Sequence, residues 1–224
     1  MPELNVYQPW SAPLIHTILP DEVIQELIQL TDVITEDKER VSRNKTLAGE
    51  IEDEWTIDSI LLTNISFKKY IDQLCWQYLK ILELQNNCGY EQQVDKNFVQ
   101  FRNAIENIQI VTSWFNNQKD NEYNPLHLHE GILSGVLYLK IPEYLPPRKR
   151  KETDGSIVFV GNECFYSGMM TNPTIIFSPK VGDIFLFPSC LNHMVYPFRT
   201  RDGKGIRRSL SFNLAQNSTE RLDG

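Results

Sequence analysis

Apolar residues fall at helical spacing in the first half of this 224-residue chain and in short alternating or continuous runs in the second, with the change near residue 105. Pro20-Asp21 predicts a helix start. Asp21 can cap it, and Ile24, Leu27, Ile28 and Thr31 then recur on one side. The polar stretch from Glu36 to Trp55 reads as a loop. A longer helix follows, because Phe67, Tyr70, Ile71, Leu74, Cys75, Tyr78, Leu79 and Leu82 draw a single apolar stripe that ends before Asn86-Asn87 and Gly89. A shorter helix is expected through Phe98, Phe101 and Ala104.

From Asn107 the chain reads as strands and turns. Runs at Ile108–Asn116, Ile132–Ile141, Gly155–Val160, Thr174–Phe177, Asp183–Phe187, His193–Phe198 and Ile206–Leu214 are rich in β-branched and aromatic residues. Turn formers separate them: Asn172-Pro173, Ser178-Pro179, Gly182-Asp183 and Asp202-Gly203. Many short strands with regular turns predict a sandwich, jelly roll or barrel. Residues 1–105 then form a helical support region packed on a β core of residues 106–216, with 217–224 as a tail, all within one structural domain. Tyr144–Asp154 is a polar, proline-containing excursion between two strands and reads as a flap over the core.

Composition narrows the function classes. The hydrophobic fraction is 41% and the charged fraction 23%, enough for a packed core and too apolar for wholesale disorder. A formal net charge of -7 disfavours nucleic acid and anionic membrane surfaces as partners, with Arg148-Lys149-Arg150-Lys151 as the one basic cluster. No apolar run is long enough to cross a bilayer, and MPELNVYQPW has neither a basic start nor a hydrophobic stretch, so a soluble cytoplasmic protein is expected. Cys75, Cys88, Cys164 and Cys190 form no CxxC pair and read as reduced, mostly buried thiols.

Three of the four histidines lie in the strand-rich half. His127 and His129 are two apart, so in an extended segment both imidazoles face the same way; His193 begins a later strand. A close pair plus a distant third residue is a metal-ligand pattern that suits Fe, Zn, Cu or Ni alike. An HxH pair alone is weak, since isolated core or surface histidines are commoner than ligands. His16 has no obvious partner and reads as structural. The weight comes from Ile206–Asn213. Alternation puts Arg207, Ser209, Ser211 and Asn213 on one face and Arg208, Leu210 and Phe212 on the other. A polar face inside a barrel fits a bound anion, which an arginine fork can grip with two parallel hydrogen bonds. The plainer alternative is a solvated edge with acidic partners.

Taken in order, Pro125-Leu126-His127-Leu128-His129, Ser134-Gly135-Val136-Leu137-Tyr138, Gly182-Asp183-Ile184-Phe185-Leu186-Phe187-Pro188-Ser189, Asn192-His193 and Arg207-Arg208-Ser209-Leu210-Ser211-Phe212-Asn213 resemble the Fe(II)/2-oxoglutarate-dependent oxygenase superfamily. The nearest flavour is its prolyl-4-hydroxylase-like group of uncharacterised bacterial and phage proteins. The resemblance covers about residues 107–214. It implies an α+β chain with a double-stranded β-helix (jelly-roll, cupin-like) core and N-terminal supporting helices. It further implies a dioxygenase that hydroxylates an unactivated C–H of a peptidyl or small-molecule substrate, with Fe(II), 2-oxoglutarate and O2. His127, His129 and His193 would hold the iron; Arg207 would bind the distal carboxylate of 2-oxoglutarate, with Ser209 assisting. Tyr138 would touch cosubstrate or substrate, and Trp114 and Asn116 would line the pocket.

One position departs from the superfamily, which usually has Asp or Glu where this chain has His129. A third neutral imidazole leaves the site one negative charge short. Glu130 is the fallback ligand, although alternation points it to the opposite face. Two other classes stay open at this point. One is a cupin-type three-histidine metal enzyme that does not use 2-oxoglutarate, against which the Arg207–Ser209 strand argues. The other is a non-catalytic jelly-roll binding or structural protein.

Overall fold

The computed structural model describes residues 4–7, 13–86, 103, 105–146, 153–161 and 174–216. Fourteen elements occur among them: β1 (Asn5–Tyr7), β2 (Leu14–Ile18), α1 (Asp21–Glu36), β3 (Glu54–Thr56), α2 (Ser59–Thr63), α3 (Phe67–Asn86), β4 (Ile108–Gln118), β5 (Asn124–His127), β6 (Leu133–Lys140), β7 (Ile157–Val160), β8 (Thr174–Phe177), β9 (Asp183–Pro188), β10 (Asn192–Val195) and β11 (Arg207–Gln216). The strands build two antiparallel sheets. The major sheet runs β1-β2-β9-β6-β11-β4-β3, and the minor sheet β5-β10-β7-β8.

Alternation along the central strands sorts side chains into two cores. From β11, Leu210, Phe212 and Leu214 pack with Val23, Ile24 and Leu27 of α1 and with Phe67, Ile71, Leu74, Tyr78 and Leu79 of α3. The opposite face of the major sheet sends Val136, Tyr138, Phe185 and Phe187 against Ile157, Phe159 and Val195 of the minor sheet. Helices therefore back one face of a β-sandwich, and the other face encloses its interior. The close approach of β6 to β11 depends on Gly135: an added Cβ would sit 2.1 Å from the Phe212 ring.

Among the described residues, the two longer predicted helices and the seven predicted strands are present with changes in their ends, and four strands (β1, β2, β3 and β5) and the short helix α2 are additional. β1, β2 and β3 extend the major sheet from within the first hundred residues, so this part of the chain supplies sheet edges as well as helices. Each is short, and β3 overlaps the end of the polar stretch read as a loop. Asp21 is the first residue of α1 and caps nothing. Pro20 holds the cap position without a side-chain bond, and Asp21 and Glu22 sit in the first turn, where acidic groups oppose the helix dipole favourably. His16 has a partner after all: Nε2 lies 3.0 Å from Asp183 Oδ1, and the ring stacks on Phe185. The Gly-Asp start of β9 thus serves a turn, with Gly182 at φ +91°, and a cross-strand polar contact.

Cys75 is buried and Cys190 is exposed, and both are free, as expected of reduced thiols. Cys88, Cys164, the short helix through Phe98 and Ala104, and the basic cluster Arg148–Lys151 lie outside the described residues. No helix among the described residues is long and apolar enough to cross a membrane.

Candidate metal centre and cosubstrate pocket

β5 and β10 pair so that His127 stands directly opposite His193. His129 lies two residues beyond the end of β5, and its backbone N–H donates to Ser189 O at 2.9 Å. That bond, rather than strand pairing, turns the third imidazole inward. One nitrogen from each ring falls in a group whose members all lie within 4.8 Å of one another. Nε2 of His129 and of His193 are 3.2 Å apart. Two ligands at right angles, each about 2.1 Å from one ion, would be separated by roughly 3 Å, so the spacing suits a shared cation. Glu130 is exposed and outside this group.

The hydrogen bonds behind the rings fix their tautomers. His127 Nδ1–H donates to Pro125 O at 2.7 Å, and His193 Nδ1–H donates to Leu191 O at 2.9 Å. Each keeps its Nε2 lone pair free on the inner side, the arrangement a metal-binding imidazole needs. Burial lowers the proton affinity of all three. It takes His193 down to about 3 and His129 to about 4, with the neighbouring imidazoles adding to the effect, and His127 is lowered as well. The rings are neutral donors at physiological pH. The donor set fits a divalent iron centre.

The histidines open into a cavity of about 170 Å³ between the two sheets. Its floor is the inner face of β4, β11 and β6: Trp114, Asn116, Tyr138, Arg207, Ser209 and Ser211 all line it, as do the three histidines. Arg207 is 2% exposed. Its Nη1 donates to Gln118 Oε1, and its guanidinium carbon lies 4.7 Å from the centre of the Tyr138 ring. Nε and Nη2 have no partner. A buried cation with two unused donors is costly without an anion beside it. Arg208 is different: it faces the helices, donating to Asn117 Oδ1 at 2.6 Å and to Thr31 Oγ1 at 3.0 Å, and it pairs with Asp32. Burial pushes the Tyr138 hydroxyl up to about 12, against the pull of the nearby Arg207 charge.

Residues 112–213 match the sequence family described as "Putative 2OG-Fe(II) oxygenase". The chain carries a 2OG-Fe(II) oxygenase domain. Its structure resembles that of a Pseudomonas putida prolyl-4-hydroxylase, at 13% identity and a TM-score of 0.50, covering 92% of this chain and 94% of that one. It also resembles two non-haem α-ketoglutarate-dependent enzymes of nogalamycin biosynthesis. One is a carbocyclase (11% identity, TM-score 0.53, 91% and 79% of the two chains) and the other an epimerase (11% identity, TM-score 0.50, 91% and 78%). These likenesses establish a double-stranded β-helix fold. No curated protein matches the sequence.

As a 2OG-Fe(II) oxygenase, the protein is an oxidoreductase that uses iron, 2-oxoglutarate and dioxygen. Several residues that support or line the cavity were assigned no role in the sequence reading. Ser134, Ser189 and Asn213 form one chain: Ser134 Oγ donates to Asn213 Oδ1 at 2.9 Å and lies 2.9 Å from Ser189 Oγ. Three family motifs meet there, and the same Ser189 supplies the carbonyl that holds His129. Gln118 orients Arg207, with its own amide donating to Glu122 O at 2.5 Å. Glu54 also lines the cavity and is 1% exposed. Its signal was hidden in a three-residue strand without alternation.

Proposed function

We propose that His127, His129 and His193 hold the iron of this oxygenase and that Arg207 binds the distal carboxylate of 2-oxoglutarate. The observation that carries the assignment is the pairing, in one cavity, of three neutral converging imidazoles with a buried arginine whose Nε and Nη2 are unpartnered. Iron(II), 2-oxoglutarate and dioxygen together supply the oxidising power for attack on an unactivated C–H.

The protein's own contribution is positioning. Nδ1–H bonds from His127 and His193 to backbone carbonyls keep both rings aimed inward. Gln118 holds the Arg207 guanidinium over the Tyr138 ring, and Arg207 lines the cavity with its Nε and Nη2 unpartnered. Ser209, two residues along the same face, adds a hydroxyl donor for the carboxylate. Tyr138 closes the wall behind it, and Trp114 and Asn116 shape the opposite side, with the Trp114 ring 5.4 Å from that of His129. Phe187, Ile157 and Val195 give the cavity a dry side, which limits water beside the oxidant. The substrate is a peptidyl or small molecule, and hydroxylation is the outcome this arrangement serves.

Anaerobic titration tests the reading. Fe(II) followed by 2-oxoglutarate should produce a weak visible charge-transfer band only when both are present, and admitting oxygen should release succinate. A band with iron alone, or iron binding without 2-oxoglutarate binding, would overturn it.

A further inference from the structure

The inner face of the major sheet carries a polar row across four strands. In register, Glu54 of β3 faces Asn116 of β4, Asn116 faces Ser209 of β11, and Ser209 faces Tyr138 of β6. The row has opposite characters at its two ends. Beside Ser209 and Tyr138 is Arg207, with two unused donors. At the far end, both carboxylate oxygens of Glu54 and the amide oxygen of Asn116 are buried and unpartnered. Strands lie about 4.8 Å apart, so Glu54 and Ser209 are separated by roughly 10 Å across the cavity floor. The two ends are therefore separate subsites.

Glu54 is 1% exposed and Asn116 3%. Leaving a buried carboxylate without partners is unfavourable unless something arrives to pair with it. Among the described residues nothing in the protein does so. Arg43 is the cation whose charge acts on Glu54; it lies over the Trp114 ring at 5.6 Å and forms no ion pair with Glu54. Burial, with Glu122 adding repulsion and Arg43 opposing, pushes the Glu54 carboxyl up to about 7. The surrounding loop makes room for the group. Gly49 packs so tightly that a Cβ would come 2.2 Å from Asn124 Oδ1 and 3.1 Å from Glu54 Oε1. Thr46, Leu47 and Ala48 complete that wall with short or apolar side chains.

The unpaired atoms at the far end of the row point to the missing partner. The cavity is lined by one arginine and one glutamate besides the neutral histidines. A 2-oxoglutarate carboxylate pairs with Arg207 at one end, and at the other end both carboxylate oxygens of Glu54 and the amide oxygen of Asn116 still lack a hydrogen-bond partner. We infer that Glu54, with Asn116, is the receiving site for an aliphatic ammonium group of the substrate, so that the substrate class is amine-bearing. The inference rests on the proposed function, in that 2-oxoglutarate takes the Arg207 end. An ammonium group brings up to three donors to three waiting oxygens. A neutral hydroxyl group would satisfy one of them and leave the carboxylate charge unpaired. Glu54 would act as a specificity-determining residue that places a C–H near the amine within reach of the metal.

The test is calorimetric binding to the nickel(II)- and 2-oxoglutarate-loaded protein. The cationic probes are Nα-acetyl-lysine amide and 1,4-diaminobutane; their neutral counterparts are Nα,Nε-diacetyl-lysine amide and 1,4-butanediol. At least one cationic probe should bind tenfold or more tighter than its counterpart. Glu54→Gln should remove that preference, and Glu52→Gln, on the exposed side of the same loop, should keep it. Equal binding of charged and neutral probes by the wild type would overturn the inference, as would a preference that survives in Glu54→Gln. If Glu54→Gln does not fold, Asn116→Asp reads the same property in reverse: ammonium affinity should rise, and an unchanged or lower affinity sinks the idea. Nickel and 2-oxoglutarate titrations on the same preparation separate the two levels. Loss of either overturns the cosubstrate assignment, and ammonium selectivity measured on the metal-free protein still decides the role of Glu54.

Discussion

Replacing Arg207 with leucine gives two effects of opposite sign, and the structure sets the size of each. In the ligand-bound protein, Nε and Nη2 are the two donors available to a carboxylate. Charge-assisted hydrogen bonds of this kind contribute about 1.5–3 kcal/mol each. Truncating one side of such a buried pair costs about 2–5 kcal/mol. At about 1.4 kcal/mol per tenfold, the dissociation constant for 2-oxoglutarate should rise roughly 30- to 3,000-fold. Without ligand the balance reverses. Arg207 is then a buried cation with a single bond, to Gln118 Oε1. Losing that bond costs about 1–3 kcal/mol, and removing an uncompensated buried charge recovers a comparable amount. The ligand-free Arg207→Leu protein should therefore melt at or slightly above the wild-type temperature. Calorimetric titration of 2-oxoglutarate into the nickel-loaded proteins, with scanning calorimetry of the ligand-free ones, measures both effects. An affinity change below about fivefold, or a large drop in melting temperature with affinity intact, would show Arg207 to be structural and refute the reasoning.

Three further outcomes are expected. His129→Ala should lose bound metal while Glu130→Ala retains it, measured as metal content of the purified proteins; the reverse would move the third ligand to Glu130. Arg208→Met should lower stability by roughly 2–4 kcal/mol in denaturant unfolding, because it leaves Asn117 Oδ1 unpaired and unties α1 from the sheet, while 2-oxoglutarate affinity stays within a few-fold. Glu54 gives a pH signature. Its carboxyl is held near 7 in the fold, against about 4.3 when unfolded, so the folded state keeps a proton that the unfolded state releases. Stability from this group is present below the unfolded value and is lost as pH rises through about 7. Glu54→Gln should match the wild type near pH 4.5 and melt higher at pH 8; parallel curves would show that the group is not held this way.

The long patterns were legible because one physical rule dominates them. The α3 stripe is read directly from Phe67 to Leu82, and β11 from the alternation of Arg207, Ser209 and Ser211 against Arg208, Leu210 and Phe212. Short elements were not legible. β1 and β3 have three residues each, too few for a period, and they exist because the sheet edge beside them needs partners. The histidine trio was found, but strand alternation was not the full reason. His129 lies beyond β5 and is oriented by the Ser189 carbonyl, a contact between residues sixty positions apart in the chain. Gln118 and Glu54 were missed for the same reason: their importance comes from unpaired atoms facing them across the fold, and no local spacing encodes that.

The adjacency of Arg207 and Arg208 has a consequence for how the gene can change length. One arginine looks into the cavity and the other into the helical layer, so strand phase alone decides which does which. The solvent-facing turn 201–205 can gain or lose residues without disturbing that phase. A single inserted codon between Arg207 and Ser209 would exchange the faces, sending the cosubstrate anchor to α1. Two would restore the face but displace the anchor by about 7 Å along the strand, beyond the reach of Gln118. The chain already carries an irregularity in the pairing of β11 with β4, between Asn213 and Leu214, past the last cavity-lining residue of the strand. Viable insertions in this strand should therefore collect at that end, and related sequences should differ in length at the turn and the bulge while keeping Arg207-Arg208-Ser209 uninterrupted.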